Sequence, residues 1–293
     1  MTPQRNRAGR YAIHLQDWNR YMFRIATATA IAVFLMFVAV QNAQSEELRD
    51  RFAPHDPASK VTVDHSAWNK LLARHLHVGE DGLNRFDYAG LKKDGLADLK
   101  KYLDRLQAVK PEKLNRNEQF AFWTNLYNAK TVDVVAAHYP VKSIRDIRLT
   151  SFLFPGPWKE DVVKVSGADL SLDDIEHEIM RPIWRDPRIH YAVNCASVGC
   201  PNLLKEAYTG ATLDTMLDRA ARGYINSPRG VRFDGKDIVA SSLFDWYASD
   251  FGGSSRRILV HIRKYAEPVL ADRLAGATSI SDYEYDWALN DKK

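Results

Sequence analysis

The sequence predicts an α+β protein, because helical periodicity dominates the chain and only short stretches have the character of strands. Apolar residues recur at three- and four-residue spacing in Ser66 to His77 and in Asp94 to Val109, which predicts two amphipathic helices. Leu83 to Tyr88 and Val162 to Val165 are instead short and β-rich, as strands are. Helices first, with few strands between them, are typical of the α+β class.

The strongest helical segment extends from Asn117, a potential N-cap, to His138, and Pro140 ends it. It is apolar nearly all round, which predicts a helix buried in the middle of the domain. Polar residues inside such a helix need partners, because burying an unpaired polar group is costly. They are Glu118, Gln119, Asn125, Asn128 and Asp133.

The rest of the chain continues as helices with one hairpin. Ser171 can cap a helix over Leu172 to Met180, and Asp234-Gly235 is typical of the turn of a hairpin. The other predicted elements are a helix over Ala211 to Tyr224, helices over Ser242 to Phe251 and Arg257 to Tyr265, and a closing segment over Ser279 to Asn290.

The N-terminus has the pattern of a targeting segment. Ile25 to Val40 is an apolar run that follows several arginines and is shorter than the usual membrane-spanning helix. Ala43 and Ser45 are small residues at the positions that a signal peptidase reads, with cleavage before Glu46. Residues 1–45 are therefore predicted to be a signal peptide or, alternatively, an uncleaved membrane anchor. In either case the bulk of the chain is expected in an exported compartment, such as a bacterial periplasm.

The net formal charge of +4 lies entirely in residues 1–45, which contain five arginines and one aspartate. The remainder has no net formal charge, so nothing indicates the basic face that nucleic acid binding requires. Membrane contact is expected only through an uncleaved N-terminus. Residues 46–60, with Pro54 and Pro57, are predicted to be a linker, and residues 61–293 a single domain.

The stretch from Arg188 to Pro201 is the most informative part of the sequence, because it contains both cysteines, Cys195 and Cys200, and His190. His190 to Asn194 alternates as a strand does, and a loop is predicted after it. A thiol and an imidazole this close indicate a cysteine nucleophile with a histidine base. On one strand the two would point to opposite faces, so the cysteine must lie beyond the strand end.

Two other roles remain open for these cysteines. Exported compartments are oxidising, and cysteines five residues apart can form a disulfide, so Cys195 and Cys200 are also a possible bridge. Cys195 can equally be a buried, inert thiol. His177, beside Glu176 and Glu178 on a predicted helix, is a second candidate for the base.

Neither a metal site nor a cofactor site is predicted. His75 and His77 do not form a recognised ligand spacing with each other or with the cysteines. The sequence also contains no phosphate-binding glycine loop and no GxSxG nucleophile elbow.

From about residue 117 to 290 the chain resembles the domain-of-unknown-function family 547, which occurs in bacteria and plants. The motifs that carry the resemblance are Glu118 to Ala129, Leu172 to Arg181, Asp186 to Cys195, Ser242 to Tyr247 and Tyr285 to Asn290. Some members are similar to papain-like and transglutaminase-like cysteine enzymes. The resemblance therefore implies a core of that type with added N-terminal helices. It also implies a Cys-His-acid site made of Cys195, His190 and Glu118.

The resulting expectation is an exported cysteine-dependent hydrolase or acyl transferase that acts on an amide or isopeptide bond of a peptide or peptidoglycan-like substrate. Asn125, Asn128 and Gln119 are candidates to bind the oxyanion, although the same amides can instead tie the buried helix to neighbouring backbone. The alternative is a non-catalytic cell-envelope binding module with a Cys195–Cys200 disulfide, in which the loop Phe152 to Trp158 grips a partner. A disulfide-exchange protein is a third possibility.

Overall fold

The computed structural model describes residues 46–149 and 155–292, and residues from Leu48 onward form one compact unit. The predicted signal peptide or anchor over residues 1–45 lies outside the described residues. None of the helices in the described part of the chain has the length and hydropathy that a membrane crossing requires. The stretch 46–60, expected to be a linker, packs on the domain from Leu48 onward, and the Phe52 ring meets Trp123 edge-on at 5.0 Å.

The N-terminal half is mainly helical, as the apolar spacing predicted, and it also contains one small hairpin. Its two short strands pair antiparallel, with Leu76 opposite Phe86. The elements are α1 (Ser66–His75), β1 (Leu76–Val78), β2 (Asn84–Phe86), α2 (Tyr88–Asp94), α3 (Leu96–Gln107), a 3-10 turn (Pro111–Lys113), α4 (Arg116–His138) and a second 3-10 turn (Ile144–Asp146).

Helix α4 is the central element and is buried on every side over most of its length, as predicted. Its N-cap is Asn115, whose side chain accepts a hydrogen bond from the Glu118 backbone N–H, rather than Asn117. Because the middle of α4 is shielded from water on all sides, its buried polar side chains must bond to protein groups, and those bonds determine how the functional segments are held.

The middle of the chain contains short elements that carry much of the candidate site. The strands β3 and β4 form an antiparallel hairpin, and a π-helical segment leads directly into α5. The elements are β3 (Val163–Val165), β4 (Ala168–Leu170), the π-helix (Asp174–Met180), α5 (Arg181–Trp184), α6 (Ile189–Ala192), a 3-10 turn (Gly210–Thr212) and α7 (Leu213–Ile225).

The prediction of a strand over His190 to Asn194 is wrong, because Ile189–Ala192 form a single helical turn. The Asp186-Pro187 pair starts this turn, with the Asp186 carboxylate accepting from the Arg188 backbone N–H. All four residues of the turn are buried, so their apparent alternation does not separate an inner face from an outer face.

The C-terminal part contains a mixed three-stranded sheet covered by helices. The predicted hairpin turns at Gly235, where φ is +58°, and β7 adds to it in parallel along β6. The elements are β5 (Val231–Asp234), β6 (Asp237–Ser241), α8 (Leu243–Trp246), α9 (Ser255–Tyr265), α10 (Pro268–Arg273) and β7 (Asp282–Glu284).

Two hydrophobic clusters form the core. The larger one surrounds α4, and the smaller one lies between α7, the hairpin and α9. The loop 193–200 and the turn before it run where the two clusters meet. Val193 and Ala196 of the loop pack into the larger cluster, and Tyr191 of the preceding turn packs into the smaller one. The α+β class is confirmed, whereas a papain- or transglutaminase-like core is not, since the described sheets have only two or three strands.

Candidate functional site

A pocket of about 310 Å³ lies beside the cysteine loop. Its lining includes both cysteines, Cys195 and Cys200, both candidate bases, His190 and His177, and the carboxylate Glu176. Aromatic side chains form much of the remaining wall. The structure therefore brings together the thiols and histidines that the sequence nominated, in the concave and largely apolar setting typical of ligand sites.

The Cys195 thiol is surrounded by three groups that can each donate a hydrogen bond to its thiolate form. Its Sγ lies 3.2 Å from Ser197 Oγ, 3.1 Å from Tyr285 Oη and 3.0 Å from Cys200 Sγ. Within the described residues none of the hydrogen-bond partners of Sγ is a histidine. Both cysteines are unbridged thiols, and Cys195 is half-buried while Cys200 is buried.

These donors make Cys195 the acidic thiol of the pair. The hydrogen bond from Cys200 lowers the pKa of Cys195, burial opposes it, and the bonds from Ser197 and Tyr285 lower it further, to about 7. Burial, together with the neighbouring Cys195 charge, raises the pKa of Cys200 well above its ordinary value. Near neutral pH about half of Cys195 is therefore thiolate, which is the reactive form of cysteine, while Cys200 stays a thiol.

The turn that presents Cys195 contains a residue in a rarely populated conformation. Ala196 has φ of +61°, in the left-handed region that side chains other than glycine seldom adopt. The Asn194 side chain stabilises the turn by accepting from the Ala196 N–H and donating to the Pro201 carbonyl. Such conformations cluster at functional sites, where the surrounding structure imposes them.

The closing segment of the chain holds the other side of the loop. The N–H groups of Val198 and Gly199 donate to the carbonyls of Ala288 and Asp286. At Gly199 a Cβ atom would lie 2.8 Å from the Asp286 backbone nitrogen, so only glycine permits this approach. This pairing brings Tyr285 to the Cys195 sulfur.

His190 is buried between two carboxylates. Its Nε2 lies 2.7 Å from Asp250 and its Nδ1 3.6 Å from Glu176, while Tyr247 stacks on the ring at 4.0 Å. Burial lowers the pKa of His190, but the hydrogen bond to Asp250 and the charge of Glu176 outweigh it, so the pKa is raised. The geometry therefore favours an imidazolium that is held in place.

The π-helix positions Glu176 and His177 at the pocket. Burial raises the pKa of Glu176, but the charges of His177 and His190 and a hydrogen bond from Tyr127 lower it to about 2. The His177 side chain is 25% exposed, whereas that of His190 is 1% exposed. A single π-helical turn within a helix is frequent at functional sites.

The structure does not bring Glu118 to His190. Its two carboxylate oxygens accept hydrogen bonds from the backbone N–H groups of Val63 and Gly210, each at 2.8 Å. Glu118 therefore ties the first turn of α4 to two backbone segments and does not orient His190. His190 contacts Asp250 and Glu176 instead.

The three amides expected near an oxyanion are bonded to backbone. Asn125 exchanges hydrogen bonds with Tyr208, and Gln119 donates to three backbone carbonyls, among them that of Pro54. Asn128 donates to the Ala192 carbonyl and accepts from the Asn194 N–H, so it fixes the chain immediately before Cys195. The three amide side chains thus find their hydrogen-bond partners in the backbone around the buried helix α4. Of the three, only Asn128 lies beside the cysteine loop.

Sequence reasoning missed several residues of the site. Asp250 and Tyr247 follow α8, and Tyr285 and Trp287 belong to the closing segment, none of whose residues the sequence assigned to the site. Ser197 lies inside the cysteine loop, but its small side chain carries no distinctive signal. Among the described residues no group of three or more His, Cys, Asp and Glu is placed to hold a metal ion.

Comparison with known families bears on the same segment. Residues 111–225 match the family model described as Protein of unknown function, DUF547. The expected resemblance is thus confirmed over this segment, which carries Glu176, His190 and Cys195. Asp250 and Tyr285 follow the matched DUF547 segment. Neither the curated proteins nor the solved structures include a match to this chain.

Proposed function

We propose that this DUF547 protein is a cysteine-dependent hydrolase or acyl transferase that acts on an amide or isopeptide bond. The observation that carries the proposal is the half-buried Cys195 at the pocket wall, with three donors around its sulfur and a pKa lowered to about 7. A thiolate formed at neutral pH needs no base in direct contact with it. This accounts for a reactive cysteine without a histidine hydrogen bond.

The proposed reaction proceeds through a thioester. The Cys195 thiolate attacks the carbonyl carbon and forms an S–C bond, and the carbonyl oxygen takes the negative charge. When the negative charge on that oxygen re-forms the carbonyl double bond, the C–N bond breaks. The amine leaves with a proton, and the acyl group stays on sulfur. Water or an acceptor amine then attacks the thioester carbon and gives up a proton, which replaces the one taken by the leaving amine. The C–S bond breaks, the acyl group leaves as an acid or a new amide, and Cys195 regains its starting form. Tyr285, which touches Sγ and lines the pocket, is the side chain that we assign to the oxyanion.

The leaving amine needs a proton, and we assign its delivery to His177. Both histidines line the pocket, but His190 is buried with one nitrogen hydrogen-bonded to Asp250. His177 is the more exposed histidine, which leaves it accessible to a substrate. In this version His190 acts as a positioning residue that holds Glu176 beside His177.

The sequence supports an exported location, because the arginines, the apolar run and the small residues of segment 1–45 follow the order of a secretory signal. We therefore propose a periplasmic or otherwise exported protein, in which segment 1–45 is either a cleaved signal peptide or an anchor to the inner membrane. An amide or isopeptide bond in a peptide or peptidoglycan-like molecule would be the corresponding substrate.

The test is a search for the acyl-enzyme. The reduced protein is mixed with p-nitrophenyl acetate at pH 7.5, p-nitrophenol release is recorded, and intact mass is measured within seconds. We expect a burst close to one equivalent and one acetyl group on Cys195. The Cys195→Ala variant should show no burst, while Cys200→Ser, which keeps a donor next to Sγ, should retain it. A wild-type protein with no acetyl adduct on Cys195 would overturn the proposal.

A second candidate function has a specific observation in its favour. The Cys195 and Cys200 sulfurs lie 3.0 Å apart, so little movement would join them, and the pocket wall beside them is aromatic. A bridged pair would leave a binding module without a nucleophile. Alkylation of protein purified from an exported compartment without reductant separates the two candidates. Two modified thiols after unfolding support the enzyme, and a fully bridged pair supports the binding module.

A further inference from the structure

We infer that the aromatic wall of the pocket is a subsite for a flat, uncharged, apolar group next to the reacting carbonyl. The aromatic wall consists of Trp158, Trp246, Tyr285 and Trp287. The inference rests on the proposed function, since it names the substrate class for the same cysteine.

The aromatic wall is assembled from three separate segments of the chain. Trp246 stacks on Trp287 with ring centroids 5.5 Å apart, and Trp158 meets Trp287 edge-on at 5.8 Å. The Tyr285 ring lies 4.8 Å from both Trp246 and Trp287. Rings that touch one another in this way form a continuous apolar surface.

Tyr285 joins the aromatic wall to the nucleophile. Its ring belongs to the wall, and its hydroxyl lies 3.1 Å from Cys195 Sγ. A carbonyl carbon in contact with the sulfur therefore has the aromatic wall within the length of one side chain. A group attached directly to that carbonyl is the part of a substrate that would lie against the rings.

Part of the wall is unusually open to solvent. Trp246 is 47% exposed, although a large aromatic ring is normally well covered. It lines the pocket, so a ligand in the pocket would cover part of its ring. An exposed apolar surface inside a concave site is typical of a binding surface.

The charges around the pocket are of both signs, so neither an anionic nor a cationic group is favoured over an uncharged one. The Cys195 thiolate, Glu176 and Asp173 would repel an anion. The Arg145 guanidinium lies 5.1 Å over the Trp287 ring, and Lys159 lines the same pocket, so a cation would meet like charges at the wall. The ring faces therefore fit an apolar group better than an ammonium.

The position of Trp158 depends on a glycine. Gly156 has φ of +84°, and the indole of Trp158 lies against its Cα, where a Cβ atom would overlap the ring. Trp158 can therefore pack against the aromatic wall only if residue 156 is glycine. A Gly156→Ala substitution should displace Trp158 without changing any group that contacts Cys195.

The test compares alkylating agents that differ only in the attached group. Rates of Cys195 modification are measured by intact mass with iodoacetamide, N-benzyl iodoacetamide, iodoacetate and a trimethylammonioethyl iodoacetamide. Each rate is divided by the rate with the urea-unfolded protein, which removes intrinsic reactivity. We expect the benzyl reagent to exceed iodoacetamide at least about tenfold, with saturation, as a well-fitted apolar contact provides.

Variants locate the effect on the aromatic wall. Trp246→Ala and Gly156→Ala should each reduce the benzyl-to-iodoacetamide ratio toward one. Val269→Ala, which removes an exposed apolar side chain on α10, should leave the ratio unchanged. A wild-type ratio near one, or a preference for the cationic or anionic reagent, overturns the subsite. If Cys195 still reacts with iodoacetamide in that case, the proposed function survives, whereas no reaction with any reagent removes both.

Discussion

Replacing Tyr285 by phenylalanine is the most direct test of how the site activates Cys195. The Tyr285 hydroxyl lies 3.1 Å from the Cys195 sulfur and can donate to its thiolate form, and the substitution removes that donor while leaving the ring in place. A hydrogen bond to a charged group is worth about 1.5–3 kcal/mol. Since one pKa unit corresponds to about 1.4 kcal/mol, the upper limit of the effect is about two units.

Two features of the structure reduce this figure. Ser197 and Cys200 still donate to the same sulfur, and the half-buried thiolate can recruit water in place of the lost hydroxyl. We therefore expect the pKa of Cys195 to rise by about one unit, from about 7 to about 8. At pH 6 the thiolate fraction, and with it the alkylation rate, should fall about tenfold.

The assay is the pH dependence of iodoacetamide alkylation between pH 5 and pH 10, with the modified residue mapped by mass spectrometry. The midpoint of the profile reports the pKa, and the plateau at high pH reports access to the thiol. Tyr283→Phe, two residues earlier in β7, is the matched control and should leave the midpoint at the wild-type value. An unshifted midpoint in Tyr285→Phe would refute the account of thiolate stabilisation.

Three further predictions concern the supports of the site. Asn128→Ala leaves two buried backbone groups beside Cys195 unpaired and should lower the free energy of unfolding by about 2–4 kcal/mol in urea titrations. Asn128→Asp should not restore it, because the buried carboxylate keeps the acceptor but faces the Ala192 carbonyl without a donor. His190 has a raised pKa in the folded state, so its stabilising contribution is complete below the unfolded pKa of about 6.5 and is lost as pH rises through the folded pKa. In a Cys195→Ala background, which removes a second titrating group, the free energy of unfolding should thus fall from pH 7 to pH 9. Adding His190→Gln to that background should flatten the slope. An equal slope in the two proteins would contradict the raised pKa of His190. Oxidation with a small disulfide reagent should join Cys195 to Cys200, because their sulfurs lie 3.0 Å apart. The protein mass should fall by two hydrogens, and neither cysteine should be alkylated until dithiothreitol is added. The absence of any bridge would show that the two sulfurs cannot reach disulfide geometry.

The predicted helices and the site residues differ in how far sequence patterns define them. Periodicity placed α1, α3 and α4 within a few residues of their observed ends, because each buries a face that local spacing reveals. The turn around His190 was predicted as a strand because every residue in it is buried, which removes the contrast between faces. Glu118 was assigned through resemblance to cysteine enzymes, and the backbone groups that occupy its carboxylate come from distant residues, Val63 and Gly210.

The sequence alone determined the α+β class, the buried central helix and the short segment that carries both thiols and His190, since each of these depends on local spacing or composition. Only the tertiary structure decided which groups surround them. Tyr285 lies 90 residues from Cys195 along the chain, and Asp250 lies 60 residues from His190. Their encounters depend on backbone pairing between the closing segment and the cysteine loop and on the packing that follows α8. Such contacts join residues far apart in sequence, and no local pattern encodes them.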